Sequence, residues 1–196
     1  MPRPSLKDQR SQEILDAYLS CVARFGLEGA TQARIAEEAG VKRPLLRHYL
    51  GNKDEMITAL ADYVVAAFAE SLDGLREALP NGATPSDLVD MLFADESGTD
   101  PRLMLVYQAL VTAVPDYPDL RQDLMDSLTG FFDMVGDILK RASPDASDVN
   151  IRAVTQGISA IFVSMDALSP LDPPAIWRAE LKLAASLLAS TLEAAR

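Results

Sequence analysis

Four cations, Lys42, Arg43, Arg47 and Lys53, fall within the fifteen residues from Ala39 to Lys53, and no Asp or Glu interrupts them. Guanidinium and ammonium groups gathered in this way suit a polyanion. They neutralise phosphate oxygens, and an arginine fork can also donate paired hydrogen bonds to O6 and N7 of guanine. The chain as a whole carries a net charge of −11, so the distribution of charge matters more than its sum. Residues 1–60 hold nine Lys/Arg against eight Asp/Glu, and the rest hold nine against twenty-one. A basic face on an acidic body attracts phosphate on one side and repels it elsewhere.

Other chemistries find little support. His48 is the single histidine and Cys21 the single cysteine, so no set of metal ligands can be assembled from them. No nucleophile has a base at catalytic spacing, and no paired Glu/His metal pattern occurs, which argues against a helical-bundle enzyme. No catalytic residue and no cofactor is implied. Cys21 reads as a small buried apolar residue in a reducing compartment. No run approaches eighteen uninterrupted apolar residues, and the first residues lack the apolar core of a signal peptide. A cytoplasmic protein with no membrane span is the expectation.

The cations need a scaffold, and the spacing of apolar residues supplies helices almost throughout. The first helix is predicted over 7–25, with Leu15, Tyr18, Val22 and Phe25 on one stripe and Gly26 ending it. Thr31 can cap a short helix that reaches Ala39 and stops at Gly40. Pro44 suits the first turn of a third helix that runs to Leu50. Asn52 and Glu55 resemble a capping box that opens a long helix over 53–79. Turn-rich punctuation then separates helices at 86–94, 101–114, 118–141, 147–168 and 174–195. The fold class is all-α, with about nine helices.

Around the cations the spacing is that of a helix-turn-helix. Ala36 and Ala39 are small where two helices must cross, and Gly40 tolerates the tight turn. Ile35, Val41, Leu46 and Tyr49 can close a small core, leaving Lys42, Arg43, Arg47 and His48 facing outward. Seven helical residues rise ~10 Å, which fits a major groove about 12 Å wide.

With these residues in view, the stretch from about Ser11 to Met56 resembles the DNA-binding region of the TetR family of bacterial regulators. The matching features are Ile14-Leu15, Ala17, Phe25-Gly26, Thr31 before Ile35-Ala36, Ala39-Gly40-Val41, His48-Tyr49 and Lys53. The resemblance implies an N-terminal three-helix DNA-binding domain over 1–52 and a helical ligand and dimerisation domain over 53–196. It implies phosphate contacts from Thr31, Lys53 and either Tyr49 or His48. It also implies that Lys42, Arg43, Pro44 and Arg47 lie nearest the base edges. The reading residues depart from the family pattern: Lys42 stands where a capping Ser is usual, Arg47 where Tyr is usual, and Pro44 where a small residue is usual. The function implied is sequence-specific binding to a double-stranded DNA operator, most often repression relieved by a small molecule. His48 could equally be a plain surface residue, and Tyr49 a core residue.

The C-terminal part carries most of the apolar mass. Tyr63, Phe68, Met104, Tyr107, Phe131 and Met134 lie at helical spacing, as core residues commonly do. The resemblance instead implies a cavity among these helices for a small, mostly apolar effector, with a hydrogen bond to Tyr107 as one possibility. Over 147–168, Val154, Ile158, Ile161 and Met165 form one stripe, beside a small-residue stripe that includes Gly157. Leu183 and Leu187 recur on the last helix. Two such helices per chain could build a four-helix interface, and in the family the last two helices form a homodimer in that way. Packing within one chain is the alternative for the same stripes.

Overall fold

Helices form all the regular structure in residues 6–80, 82–94 and 100–193, the parts of the chain that the computed structural model describes. In chain order they are α1 (Leu6–Gly29), α2 (Gln32–Glu38), α3 (Arg43–Leu50), α4 (Lys53–Ala78), α5 (Pro85–Leu92), α6 (Pro101–Ala113), α7 (Leu120–Ala142), α8 (Asp148–Leu168) and α9 (Ala175–Glu193). A short 3-10 turn, Ser169–Leu171, follows α8. The expected class and element order hold, with most boundaries moved by a residue or two and the end of α1 by four.

Side chains written into the sequence start several of these helices. Thr84 Oγ1 accepts from the Asp87 N–H at 3.1 Å while Asp87 Oδ2 accepts from the Thr84 N–H at 2.8 Å. That is a reciprocal capping box that satisfies two otherwise orphaned donors. Asp100 accepts from the Arg102 N–H at 2.9 Å, and Ser147 from the Asn150 N–H at 3.2 Å. Pro85 and Pro101 occupy first turns, where a missing N–H costs nothing.

The end of α1 differs from expectation. Gly26 does interrupt the helix, at φ 70° and ψ 171°, but one further turn follows before Ala30. Phe25, expected on the buried stripe, is 46% exposed. The Arg34 guanidinium lies 4.5 Å from its ring centroid and donates to the Gly29 carbonyl at 2.7 Å. The Gly26 kink turns the chain so that Phe25 becomes a platform for Arg34 rather than a core residue.

The residues group into two compact units, Met1–Phe68 with Asp100–Asp126, and Ala69–Thr99 with Ser127–Arg196. This partition differs from a boundary after residue 52, because the first unit also takes in α6 and the first part of α4. Its core joins Ile14, Tyr18, Leu19 and Val22 of α1 to Ile35 of α2, Leu46 and Leu50 of α3, Ile57 and Leu60 of α4 and Leu103, Val106 and Leu110 of α6. Arg102 adds polar ties between α6 and α1. It donates to Asp16 Oδ1 at 2.8 Å, Ser20 Oγ at 2.5 Å and Asp100 Oδ2 at 2.6 Å. The Arg102 guanidinium holds the Asp100 carboxyl below the usual carboxylate range.

The second unit is built around Leu88, Val89, Leu92 and Phe93, with Phe131, Met134, Val135 and Leu139 of α7, Val154 and Ile158 of α8, and Ala185, Ala189 and Leu192 of α9. Val154 and Ile158 are 5% and 0% exposed in the single chain. They fill its own core and are not available to a partner, which corrects their assignment to a dimer interface. Gly157 also has an internal role, since a Cβ there would lie 2.7 Å from Leu188 Cδ1 of α9. Its smallness lets α8 and α9 approach within one chain. The segment Asp148–Leu171 is long and apolar enough by composition to cross a bilayer. Among its residues, however, Ile151, Val154 and Ile158 are core residues of this unit.

The Gly26 backbone lies in a region open essentially only to glycine, and nothing stands within 4 Å of a Cβ built there. Gly26→Ala therefore carries strain without a clash. It is expected to destabilise the protein by about 1–3 kcal/mol, read from the midpoint of urea unfolding at unchanged slope.

Candidate nucleic-acid interface

The local frame is set by the turn between α2 and α3. Gly40 takes φ 62°. The Gly40 N–H donates to Glu37 O at 3.1 Å and the Val41 N–H to Ala36 O at 2.9 Å. These are the two bonds of a Schellman termination, which needs a residue in the left-handed region and places an apolar residue just beyond it. Val41 packs against the first unit's core. Thr31 caps α2 in extended conformation, its hydroxyl accepting from the Arg34 N–H at 3.4 Å.

The helix α3 has only eight residues, so its orientation depends on what it buries. Leu46 is 0% and Leu50 7% exposed, and Tyr49 packs partly buried against the same core. The opposite face carries Arg43, Pro44, Arg47 and His48, all exposed, with Lys42 exposed at the N-cap. Lys42 makes no side-chain cap bond, so its ammonium is not spent on the helix end. Lys42, Arg43 and Arg47 have no acidic partner among the described residues. His48 and Tyr49 meet edge to face at 5.0 Å between ring centroids.

The start of α4 is fixed by the predicted capping box. Asn52 Oδ1 accepts from the Asp54 and Glu55 N–H groups at 2.9 and 3.0 Å, and Glu55 Oε2 accepts from the Asn52 N–H at 2.7 Å. Lys53 is exposed there, but it is not idle. Its Nζ donates to both carboxylate oxygens of Glu28, at 3.1 and 3.3 Å. Glu28 is the main cause of an ammonium pKa above the ordinary lysine value. A phosphate at Lys53 would replace this carboxylate, one oxyanion exchanged for another. Nothing in the sequence marked Glu28, which lies 25 residues away from its partner.

Of the expected DNA-contact residues, Thr31, Lys42, Arg43, Pro44, Arg47, His48 and Lys53 are exposed and all belong to the helix-turn-helix segment or its immediate neighbour, while Tyr49 is half-buried. The expected effector residues do not gather in one unit. Tyr63, Phe68, Met104 and Tyr107 are half-buried in the first. There Phe68 and Tyr107 meet edge to face at 5.6 Å. The Tyr107 hydroxyl already donates to Leu124 O at 2.7 Å. Phe131 and Met134 are 8% and 1% exposed in the core of the second unit. An open groove of about 550 Å³ between α7 and α8 includes Phe132, Asp133, Asp137, Ile151, Thr155 and Gln156 in its lining, and none of the six expected residues.

Comparison with known proteins bears on the same segment. Residues 14–60 match the family model described as bacterial regulatory proteins, tetR family. A curated relative, the HTH-type transcriptional regulator BetI of Serratia proteamaculans (strain 568), is 31% identical over 88 residues, which are 45% of this chain and 44% of that protein. The chain thus spans a little under half the length of this relative. Among solved structures, a TetR-family transcriptional regulator from Cytophaga hutchinsonii superposes with a TM-score of 0.77 at 14% identity, covering 97% of this chain and 98% of its own. The fatty acid degradation regulator FadR from Bacillus halodurans gives 0.71 at 20% identity, covering 95% and 96%. These likenesses extend over nearly the whole chain, whereas the family model matches residues 14–60.

Glu28→Gln should remove the largest cause of the raised Lys53 pKa. The Lys53 side chain, followed by NMR across alkaline pH, is expected to titrate lower in the variant than in the unaltered protein. An unchanged titration would show that the ion pair does not persist in solution.

Proposed function

We propose that this chain, whose residues 14–60 match the family model described as bacterial regulatory proteins, tetR family, is a sequence-specific DNA-binding transcriptional regulator. The observation that carries this reading is the exposed face of α3, where Lys42, Arg43 and Arg47 stand without acidic partners among the described residues while Leu46 and Leu50 anchor the other face. In this reading α3 enters the major groove of an operator, Arg43 and Arg47 donate to base edges, and Thr31, His48 and Lys53 hold phosphates. Pro44, at the centre of the exposed face, packs against the groove floor. The reading is of a binding protein, not an enzyme, acting in the cytoplasm as a repressor.

Two further parts belong to the same proposal. The first is a homodimer, which would let two copies of α3 read half-sites about 34 Å apart, one turn of the duplex. Leu183 and Leu187 support it, because they stand 60% and 61% exposed on α9 with Ile176 and Trp177 on the same helix at 60% and 51%. Exposed apolar area of this extent favours a partner surface. Ile161 and Met165, half-buried on α8, would border it. The second part is release by a small, mostly apolar effector that binds one conformation better than the other. Tyr63, Phe68 and Tyr107, partly buried against the first unit's core, support it, together with half-buried Met104. Tyr107 could accept a hydrogen bond from such a ligand while donating to Leu124 O, and would have to give up that carbonyl only to donate to it.

A mobility-shift assay on sites selected from random DNA tests the reading. Specific complexes should weaken ~10³–10⁵-fold between 50 and 200 mM salt if ~6–10 phosphates are engaged. Arg47→Ala should cost about 1–3 kcal/mol on the selected site and relax its sequence preference, while Lys53→Ala should weaken every sequence alike. Equal loss on selected and random DNA for Arg47→Ala would remove it from base reading. In the same assay an effector must dissociate the complex when added. Leu187→Asp places a charge on the proposed dimer face, and the variant is expected to sediment as a monomer. A dimer unaffected by it would move the interface elsewhere.

A further inference from the structure

The exposed part of α3 carries one large aliphatic side chain as well as cations. Leu45 is 40% exposed, and it is the one large hydrophobic residue of the helix-turn-helix segment left so open among the described residues. A single exposed leucine on a protein surface is ordinary and carries no meaning by itself. Its surroundings here are not ordinary. Leu45 follows exposed Pro44, on the helix that enters the groove in the proposed function; two residues from both Arg43 and Arg47, it flanks the exposed side from the border opposite to theirs. The other exposed apolar side chain nearby, Phe25, already has the Arg34 guanidinium over its ring.

A side chain pressed into a major groove can meet four kinds of base-pair edge, and a leucine can neither donate nor accept a hydrogen bond. Against the N4 amino group of cytosine, the N6 amino group of adenine or O6 of guanine, it would strip water from a polar atom and return nothing, which costs affinity. The 5-methyl of thymine is the one group on the groove floor that gains from apolar contact. We propose that Leu45 is a specificity-determining residue that reads the 5-methyl group of a thymine in each half-site. The inference rests on the proposed DNA-binding function and deepens it: the operator carries an obligatory thymine whose recognition depends on its methyl and not on its hydrogen-bonding edge. Arg43 and Arg47, which share the other border of the exposed side, would read other positions by donation.

Deoxyuridine differs from thymidine by this methyl alone and pairs identically with adenine. The test takes DNA selected from a random pool by the full-length protein and replaces its thymines with deoxyuridine one position at a time. Affinities are measured for the unaltered protein and for Leu45→Ala, whose exposed site makes misfolding an unsuitable explanation of any loss. One thymine per half-site is expected at which loss of the methyl weakens the unaltered protein about fourfold, the factor that goes with removing one buried methyl group. At that position Leu45→Ala should bind thymine and uracil equally. The proposal is overturned if the unaltered protein is indifferent to uracil at every position, or if Leu45→Ala keeps the same preference for thymine. Failure to select any DNA would instead overturn the DNA-binding function, and with it this inference.

Discussion

An eight-residue helix cannot hold itself in water, because nucleating the first turn costs more than two turns of hydrogen bonds return. Everything proposed for α3 therefore depends on the burial of Leu46 and Leu50 in the first unit's core. Those two side chains, four residues apart, set the rotation of the helix about its axis. Once they point inward, Pro44 and His48 must point outward, with Arg43, Leu45 and Arg47 along the borders of the same face. A loss of grip on Leu46 would release the cations as well as the core, since the anchoring and reading faces belong to one rigid rod.

The surroundings strengthen that anchor with local devices. The Schellman bonds at Gly40 fix the exit from α2, and the Asn52–Glu55 box fixes the start of α4 one residue beyond Gly51. Between these two punctuation points α3 has little freedom to slide. Arg34 is taken up by Phe25 and the Gly29 carbonyl, and Arg24 pairs with Glu38. The cations of the N-terminal region thus divide into those that brace the scaffold and those left for an outside partner. Lys53 stands between the two groups, exposed but occupied by Glu28.

Arg102 shows how the first unit extends past the helix-turn-helix. Its guanidinium satisfies Asp16 and Ser20 of α1 while holding Asp100 at the start of its own helix. A half-buried fork with several well-placed acceptors is more specific than an exposed ion pair, because its geometry allows one arrangement. It makes α6 a mechanical neighbour of α1, so any event that shifts α6 acts on the same core that holds α3.

The helical class, the order of the elements and the exposed basic face of α3 were legible in the chain alone, because they depend on short-range rules. Apolar spacing, Thr31, Gly40, Pro44 and the Asn52–Glu55 pair act over a few residues, and their geometry follows from backbone chemistry. What the sequence could not decide was which of two equivalent faces of a helix turns inward. Val154 and Ile158 formed a stripe as suitable for a partner chain as for the chain's own core, and only the packing of α8 against α5, α7 and α9 put them inside. Leu183 and Leu187 looked no different and remain outside. The Lys53–Glu28 pair and the Arg102 cluster join residues 25 and 86 positions apart. Their meeting is a property of how helices are stacked, and hydrophobic periodicity carries no information about it.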